Sequence, residues 1–203
     1  MPGSILVVTG PKESGKSTLC RELARAAVQA GVDVAGIVTT KAGPRGRCRA
    51  GTEAPPAWGV PSGERLVVTD LRSGRQALLG VWTGCRWVMR EEGFALGHAA
   101  LAAAVPCDLL IIDEIGRMEL CHGQGWIESF NLLARGVFRQ AVVTVREGCM
   151  DAFGRALAAA LPAGAPAPVL DIHTLTGPWL AAARQAHLQR LVERVAHAGV
   201  VGL

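Results

Sequence analysis

Ile5-Leu6-Val7-Val8-Thr9, followed by Gly10-Pro11-Lys12-Glu13-Ser14-Gly15-Lys16-Ser17-Thr18, is the stretch on which the reading of the fold turns. An apolar run rich in β-branched residues ends at a glycine, and Gly15, Lys16 and Ser17 follow at the spacing G-x-x-x-x-G-K-[ST] of a phosphate-binding loop. Leu19, Leu23, Ala24, Ala27 and Val28 then recur at helical spacing, so the order is strand, loop, helix. A polyphosphate needs this chemistry. Backbone N–H groups must wrap the anion, and side chains at Gly10 or Gly15 are expected to obstruct that approach. The helix start adds unpaired N–H groups and about half a positive charge. Lys16 is expected on the β- and γ-phosphates and Ser17 on Mg²⁺. The nucleotide-binding set is therefore Gly10, Pro11, Lys12, Glu13, Ser14, Gly15, Lys16, Ser17 and Thr18.

Composition is that of one α/β domain spanning residues 1–203, with 50% hydrophobic and 19% charged residues. No apolar run reaches the ~18 residues of a membrane span, and Met1-Pro2-Gly3-Ser4 leads straight into a strand without a signal-peptide pattern. The expectation is a cytoplasmic protein with no membrane partner. Net charge is +4, little support for nucleic-acid binding. Only three of the 21 basic residues are lysines, Lys12, Lys16 and Lys41, and two of these lie in the phosphate loop. Arg replaces Lys where charge alone suffices, and Lys16 persists because a compact ammonium suits the phosphates. Cys20, Cys48, Cys85, Cys107, Cys121 and Cys149 are scattered without a Cys-x-x-Cys pair, so reduced thiols are expected rather than a zinc site.

Gly31 stops the first helix, and Val32 to Thr40 reads as a second strand, parallel to the first in a βαβ unit. From Lys41 to Glu64 come five glycines, four prolines and the arginines Arg45, Arg47 and Arg49, read as a long mobile loop (41–64). Leu66–Leu71 and Gln76–Trp82 form a hairpin, Arg86–Arg90 a short strand, and Phe94–Val105 a helix stopped by Pro106. Later elements are a helix over Trp126–Phe138, a strand over Gln140–Arg146 and a helix over Cys149–Leu161. A last strand follows over Pro168–Ile172, and then a helix from Pro178 to His197.

Between them lies Cys107-Asp108-Leu109-Leu110-Ile111-Ile112-Asp113-Glu114. Four apolar residues in a row suit a strand buried on both faces, and it ends in two acids. Ligands bind at the carboxyl ends of parallel strands, so Asp113 and Glu114 should emerge beside the phosphate loop. Asp113 fits an acid that holds Mg²⁺ through a water. Glu114 fits a general base that orients and polarises an attacking water, with Lys16 as its catalytic partner. Thr144 could sense the γ-phosphate, and Arg146 or Arg117 could stabilise transferred charge. Glu119 is expected to brace the turn, and the five histidines to be structural.

The block Asp113-Glu114-Ile115-Gly116-Arg117-Met118-Glu119-Leu120 resembles the signature of the THEP1-type nucleoside-triphosphatases, and the loop Gly10 to Thr18 and the order of elements resemble that family too. The resemblance implies a P-loop NTPase of the α/β class. Its RecA-like, mostly parallel sheet is flanked by helices and carries an antiparallel hairpin extension. It implies slow Mg²⁺-dependent hydrolysis of ATP and GTP, with loose base preference, to diphosphate and phosphate. It carries Lys16, Ser17, Asp113 and Glu114 into their roles. Two places differ from the family pattern: Thr39-Thr40-Lys41-Ala42 after the second strand, and Thr176-Gly177-Pro178-Trp179 before the last helix. A small-molecule kinase using residues 41–64 as a lid, and a nucleotide-dependent switch or assembly factor, are the alternatives. The absence of Asn-Lys-x-Asp argues against a GTP-only enzyme.

Overall fold

The computed structural model describes residues 3–43 and 64–175, with 189, 190, 192 and 193. Its centre is one sheet of eight strands in the order β5-β4-β3-β2-β6-β7-β1-β8. The five strands β2 (Val34–Ala42), β6 (Cys107–Ile115), β7 (Phe138–Val145), β1 (Ser4–Thr9) and β8 (Leu170–Thr174) run parallel. β3 (Arg65–Asp70), β4 (Gln76–Trp82) and β5 (Trp87–Met89) extend it as an antiparallel wing. This is the expected mostly parallel sheet with its hairpin extension. β1 and β2 are parallel, as a βαβ unit requires, but β7 and β6 lie between them.

The parallel strands are buried on both faces, and their side chains sort into two cores. Ile5, Val7, Ile37, Leu110, Ile112 and Val143 point to one side, where Leu101, Trp126, Phe130 and Phe153 meet them. Leu6, Val8, Val38, Leu109, Ile111 and Val142 point to the other, against Leu19, Leu23 and Ala27. The period of two along each strand and of 3.6 along α1 (Lys16–Gln29) produces this sorting. The first core is covered by α2 (Glu91–Ala102), α4 (Ser129–Arg135) and α5 (Met150–Ala160).

Several boundaries move for identifiable reasons. β2 continues through Lys41 and Ala42, which pair with Leu66 and Arg65 of β3, so the expected loop begins later than Lys41. Residues 44–63, most of that loop, lie outside the described residues, as does nearly all of the expected terminal helix. α2 starts at Glu91, with Glu91 and Glu92 in its first turn complementing the helix dipole. The helix expected over Trp126–Phe138 shortens to α4, because Gly136 adopts the left-handed conformation (φ 62°) and Phe138 opens β7. A six-residue helix, α3 (Arg117–His122), follows β6 and is not evident from periodicity.

Cys20, Cys107, Cys121 and Cys149 are free thiols, as expected, whereas Cys85 is disulfide-bonded, contrary to the expectation. Among the described residues, no helix is long and apolar enough to cross a membrane. His98 pairs with Glu128 and stacks edge-on against Trp126, a structural use of the ring.

Candidate active site

β1 delivers the phosphate loop to the carboxyl end of the sheet. Gly10 has φ 142°, and a Cβ there would lie 2.5 Å from the carbonyl oxygen of Leu175. The approach of the chain after β8 thus adds a requirement for glycine here that the sequence reading did not foresee. Gly15 has open space for a Cβ, but its φ of 96° is left-handed, and it caps the N-terminus of α1. No side chain caps that helix start and no acid lies in its first turn, so its N–H groups and positive dipole end remain available to an anion.

Lys16 is buried (7% exposed) and its Nζ donates to the carbonyls of Gly10 at 2.9 Å and Pro11 at 3.0 Å. Two of its three donors hold the loop's own backbone, leaving one for a phosphate oxygen. Ser14 Oγ is buried in the same loop without a hydrogen-bond partner among the described residues. A buried hydroxyl left in that state carries a desolvation cost, which a bound phosphate oxygen would relieve. The third lysine joins this group: Lys41, at the end of β2, lies 3.7 Å from the carboxylate of Glu13 in the loop. All three lysines of the chain therefore lie in or against the phosphate loop. Glu13 itself has φ 65°, uncommon outside glycine.

Asp113, at the end of β6, is fully buried. Its Oδ1 accepts from Thr144 Oγ1 at 2.6 Å and from Ser17 Oγ at 3.1 Å. Its Oδ2 accepts from the Thr39 N–H at 3.2 Å and Thr39 Oγ1 at 3.3 Å. Two neighbouring strands, β2 and β7, and α1 thus converge on one carboxylate, and every donor among the described residues is neutral. Burial pushes the Asp113 carboxyl above its ordinary value, the Thr144, Ser17 and Thr39 hydrogen bonds pull it back, and the neighbouring Glu114 charge raises it further. A buried carboxylate without a cationic partner is costly unless a positive charge arrives.

Ser17 and Asp113, already in contact, are the donor set that suits Mg²⁺. That ion is commonly held by one or two protein ligands plus substrate phosphates rather than by a protein cage. The described residues contain no group of three or more His, Cys, Asp or Glu side chains able to hold a metal by themselves.

Glu114 turns away from Asp113 and is not among its hydrogen-bond partners. Its Oε1 accepts from Arg146 Nε at 2.8 Å and lies 2.7 Å from the same guanidinium's terminal nitrogen. The turn after it is braced by Glu119, as expected. Glu119 Oε2 accepts from the Gly116 N–H at 2.8 Å, and Oε1 from the Trp126 N–H at 3.2 Å. Burial raises the Glu119 carboxyl, and these backbone bonds oppose the rise. Gly125 belongs to the same arrangement, since a Cβ there would stand 2.2 Å from Glu119 Oε1.

The structure therefore gathers Lys16, Ser17, Asp113 and Thr144 and sets Glu114 beside them in sequence with Arg146 attached. Arg117 is exposed at the start of α3, with no ion pair among the described residues. Thr144 spends its hydroxyl on Asp113. Thr39, Lys41 and the Glu114–Arg146 pair were not anticipated. The doublet Thr39-Thr40 at a strand end was the available signal for the first; nothing local signalled the other two, which depend on pairings between distant segments.

A model of the NTPase family matches residues 5–124. Among curated proteins, the chain is 31% identical over 122 residues to a nucleoside-triphosphatase THEP1 of Methanosarcina barkeri, a match covering 57% of this chain and 62% of that protein. It is 36% identical over 115 residues to the THEP1 of Thermococcus kodakarensis, covering 56% and 61%. The match thus spans somewhat under two thirds of these relatives' lengths. Among solved structures, a human cancer-related nucleoside triphosphatase shares the fold with a TM-score of 0.51 at 21% identity, over 95% of this chain and 97% of that one. The family match runs from β1 through the phosphate loop to the Asp113–Leu120 block and α3, and on that match the chain belongs to the NTPase family, with THEP1-type nucleoside-triphosphatases among its relatives.

Proposed function

We propose that this chain hydrolyses nucleoside triphosphates to diphosphate and phosphate, with Mg²⁺, slow turnover and loose base preference. The observation that carries the reading is the fully buried Asp113, bonded to the loop's Ser17 and, among the described residues, to neutral donors only. Such a carboxylate is kept for a cation, and a triphosphate on the adjacent loop brings one.

In this reading Lys16 and the loop N–H groups hold the β- and γ-phosphates. Ser17 and, through a water, Asp113 would hold Mg²⁺, which neutralises charge on the phosphates when bound. Thr39 and Thr144 fix Asp113. Glu114 accepts a hydrogen bond from the attacking water and orients it in line with the γ-phosphorus. Lys41 adds positive charge at the loop's open side. Loop hydrolases that lack an inserted arginine turn over at roughly 10⁻⁴ to 10⁻² per second, whereas kinases reach ~1–100.

Purified protein with Mg²⁺ should release phosphate from ATP and from GTP at comparable slow rates without any acceptor, and EDTA should stop it. Phosphate appearing only when a metabolite is supplied, and on that metabolite, would replace this reading by a small-molecule kinase. Partner capture that changes between ATP and ADP, with no measurable release, would replace it by a switch.

A further inference from the structure

Arg146 and Glu114 form a closely bonded pair at the catalytic end of the sheet, and stability does not explain it. The Arg146 side chain is 58% exposed and Glu114 is 26% exposed. An ion pair at such a surface contributes little to folding. Its geometry is nevertheless specific. Two guanidinium nitrogens, Nε and Nη2, converge on one oxygen, Oε1, at 2.8 and 2.7 Å. Oε2 has no hydrogen-bond donor among the described residues. A pair built for strength alone would use the parallel two-oxygen arrangement that a guanidinium fork favours.

The backbone holds the arginine in place from both sides. The Arg146 N–H donates to the Ile115 carbonyl at 2.9 Å, and the Arg146 carbonyl accepts from the Cys149 N–H at 3.0 Å. The first bond ties the end of β7 directly to the residue after Glu114. The glycine of the Asp-Glu-Ile-Gly block makes room for the side chain. A Cβ at Gly116 would stand 3.3 Å from Arg146 Nε and 3.5 Å from Cζ. Gly116 has extended backbone that any residue adopts, and what it offers the pair is this close approach to the guanidinium.

We infer that Arg146 is a positioning residue for Glu114: it clamps Oε1 so that Oε2 is presented to the attacking water. The inference rests on Glu114 being the base, and it assigns Arg146 a different job from direct stabilisation of the transferred phosphoryl group. A carboxylate at the end of three rotatable bonds samples many orientations, and fixing one oxygen restricts the other to a narrow arc. Misplacement of a reacting group by about 1 Å costs on the order of 100-fold in rate.

The test is a cycle of four full-length proteins turning over MgATP: wild type, Arg146→Ala, Glu114→Asp and the double variant. Aspartate retains a carboxylate but is one methylene too short to keep the Arg146 contact. Arg146→Ala should lower kcat by about 10- to 100-fold in the wild-type background and by less than about threefold in the Glu114→Asp background. MgADP affinity, read by calorimetry, should stay within about twofold throughout, and Arg146→Lys should recover part of kcat. Equal losses in both backgrounds would overturn the inference, because Arg146 would then act on the phosphate independently of Glu114. No loss in the wild-type background would overturn it as well, leaving a surface ion pair. If Glu114→Asp itself keeps wild-type kcat, the assignment of the base fails, and the inference falls with it for that separate reason.

Discussion

β6 carries an aspartate near each end, and the two have opposite surroundings. Asp108, at its start, meets Arg139 at 3.1 Å and accepts the Asp33 N–H at 3.0 Å. Beside it Asp33 pairs with Arg72 at 2.8 Å, and Arg72 also donates to the carbonyls of Ala103 at 2.6 Å and Pro106 at 2.9 Å. These groups are partly or largely exposed. Asp113, about 17 Å further along at the strand's rise per residue, is fully buried and has, among the described residues, Ser17, Thr39 and Thr144 as its hydrogen-bond partners. Arginine is the commonest charged residue in the chain, yet no described arginine is bonded to Asp113. One end of the sheet is a closed set of ion pairs that fastens β2, β6, β7 and the hairpin together. At the other end Asp113 has no cationic partner among the described residues, and in the proposed function a metal–nucleotide complex would supply one.

The largest effect should come from removing the charge at the Asp113 end. Asp113→Asn keeps the shape and one of the two acceptor oxygens but not the charge. Its phosphate release should fall on the order of 10³-fold. The same substitution should raise the melting temperature of the nucleotide-free protein by a few degrees, because a buried unpaired charge is lost. The sign follows from the raised Asp113 pKa: the fold holds the neutral form more readily than the unfolded chain does, so above the ordinary value of 3.8 ionisation opposes folding. A lower melting temperature would show that the site is not held at a cost. Calorimetry with and without MgADP reads both parts.

Next in size is the brace beneath Glu114. Gly125→Ala places a methyl 2.2 Å from Glu119 Oε1 at a backbone φ of 72°. Displacing Glu119 unpairs the Gly116 and Trp126 N–H groups, at a cost of about 2–4 kcal/mol. Chemical denaturation should show that loss, with kcat falling as Glu114 loses its support. The smallest effect belongs to the closed end. Arg72→Ala should cost about 1–2 kcal/mol, chiefly through the carbonyls of Ala103 and Pro106, and leave kcat and nucleotide affinity unchanged. A change in kcat from Arg72→Ala would mean that the two ends are coupled.

The division between the ends also accounts for what the sequence disclosed. Gly10 to Thr18 is contiguous, so its loop and helix were legible from spacing alone. Leu109 to Ile112 announced a strand buried on both faces, and from that the position of Asp113 followed. The partners of Asp113 were less legible. Thr39 and Thr144 reach it from β2 and β7, and their relevance depends on the strand order, which local pattern does not encode. A second constraint on Gly10 was not legible, since its neighbour Leu175 is 165 positions away. α3 went unread because six residues are too few for helical periodicity to stand out. Arg72 carried no signal at all: its partners come from two distant segments, Asp33 before β2 and Ala103 and Pro106 between α2 and β6.

The most direct measurement is single-turnover phosphate release from MgATP by Glu114→Gln beside its nucleotide affinity. The amide keeps the size of the side chain and one acceptor but loses the charge and basicity that polarise a water. The account predicts that release is abolished while MgATP still binds with near wild-type affinity. Wild-type release by Glu114→Gln would contradict it, and the base would have to be sought elsewhere at the carboxyl end of the sheet.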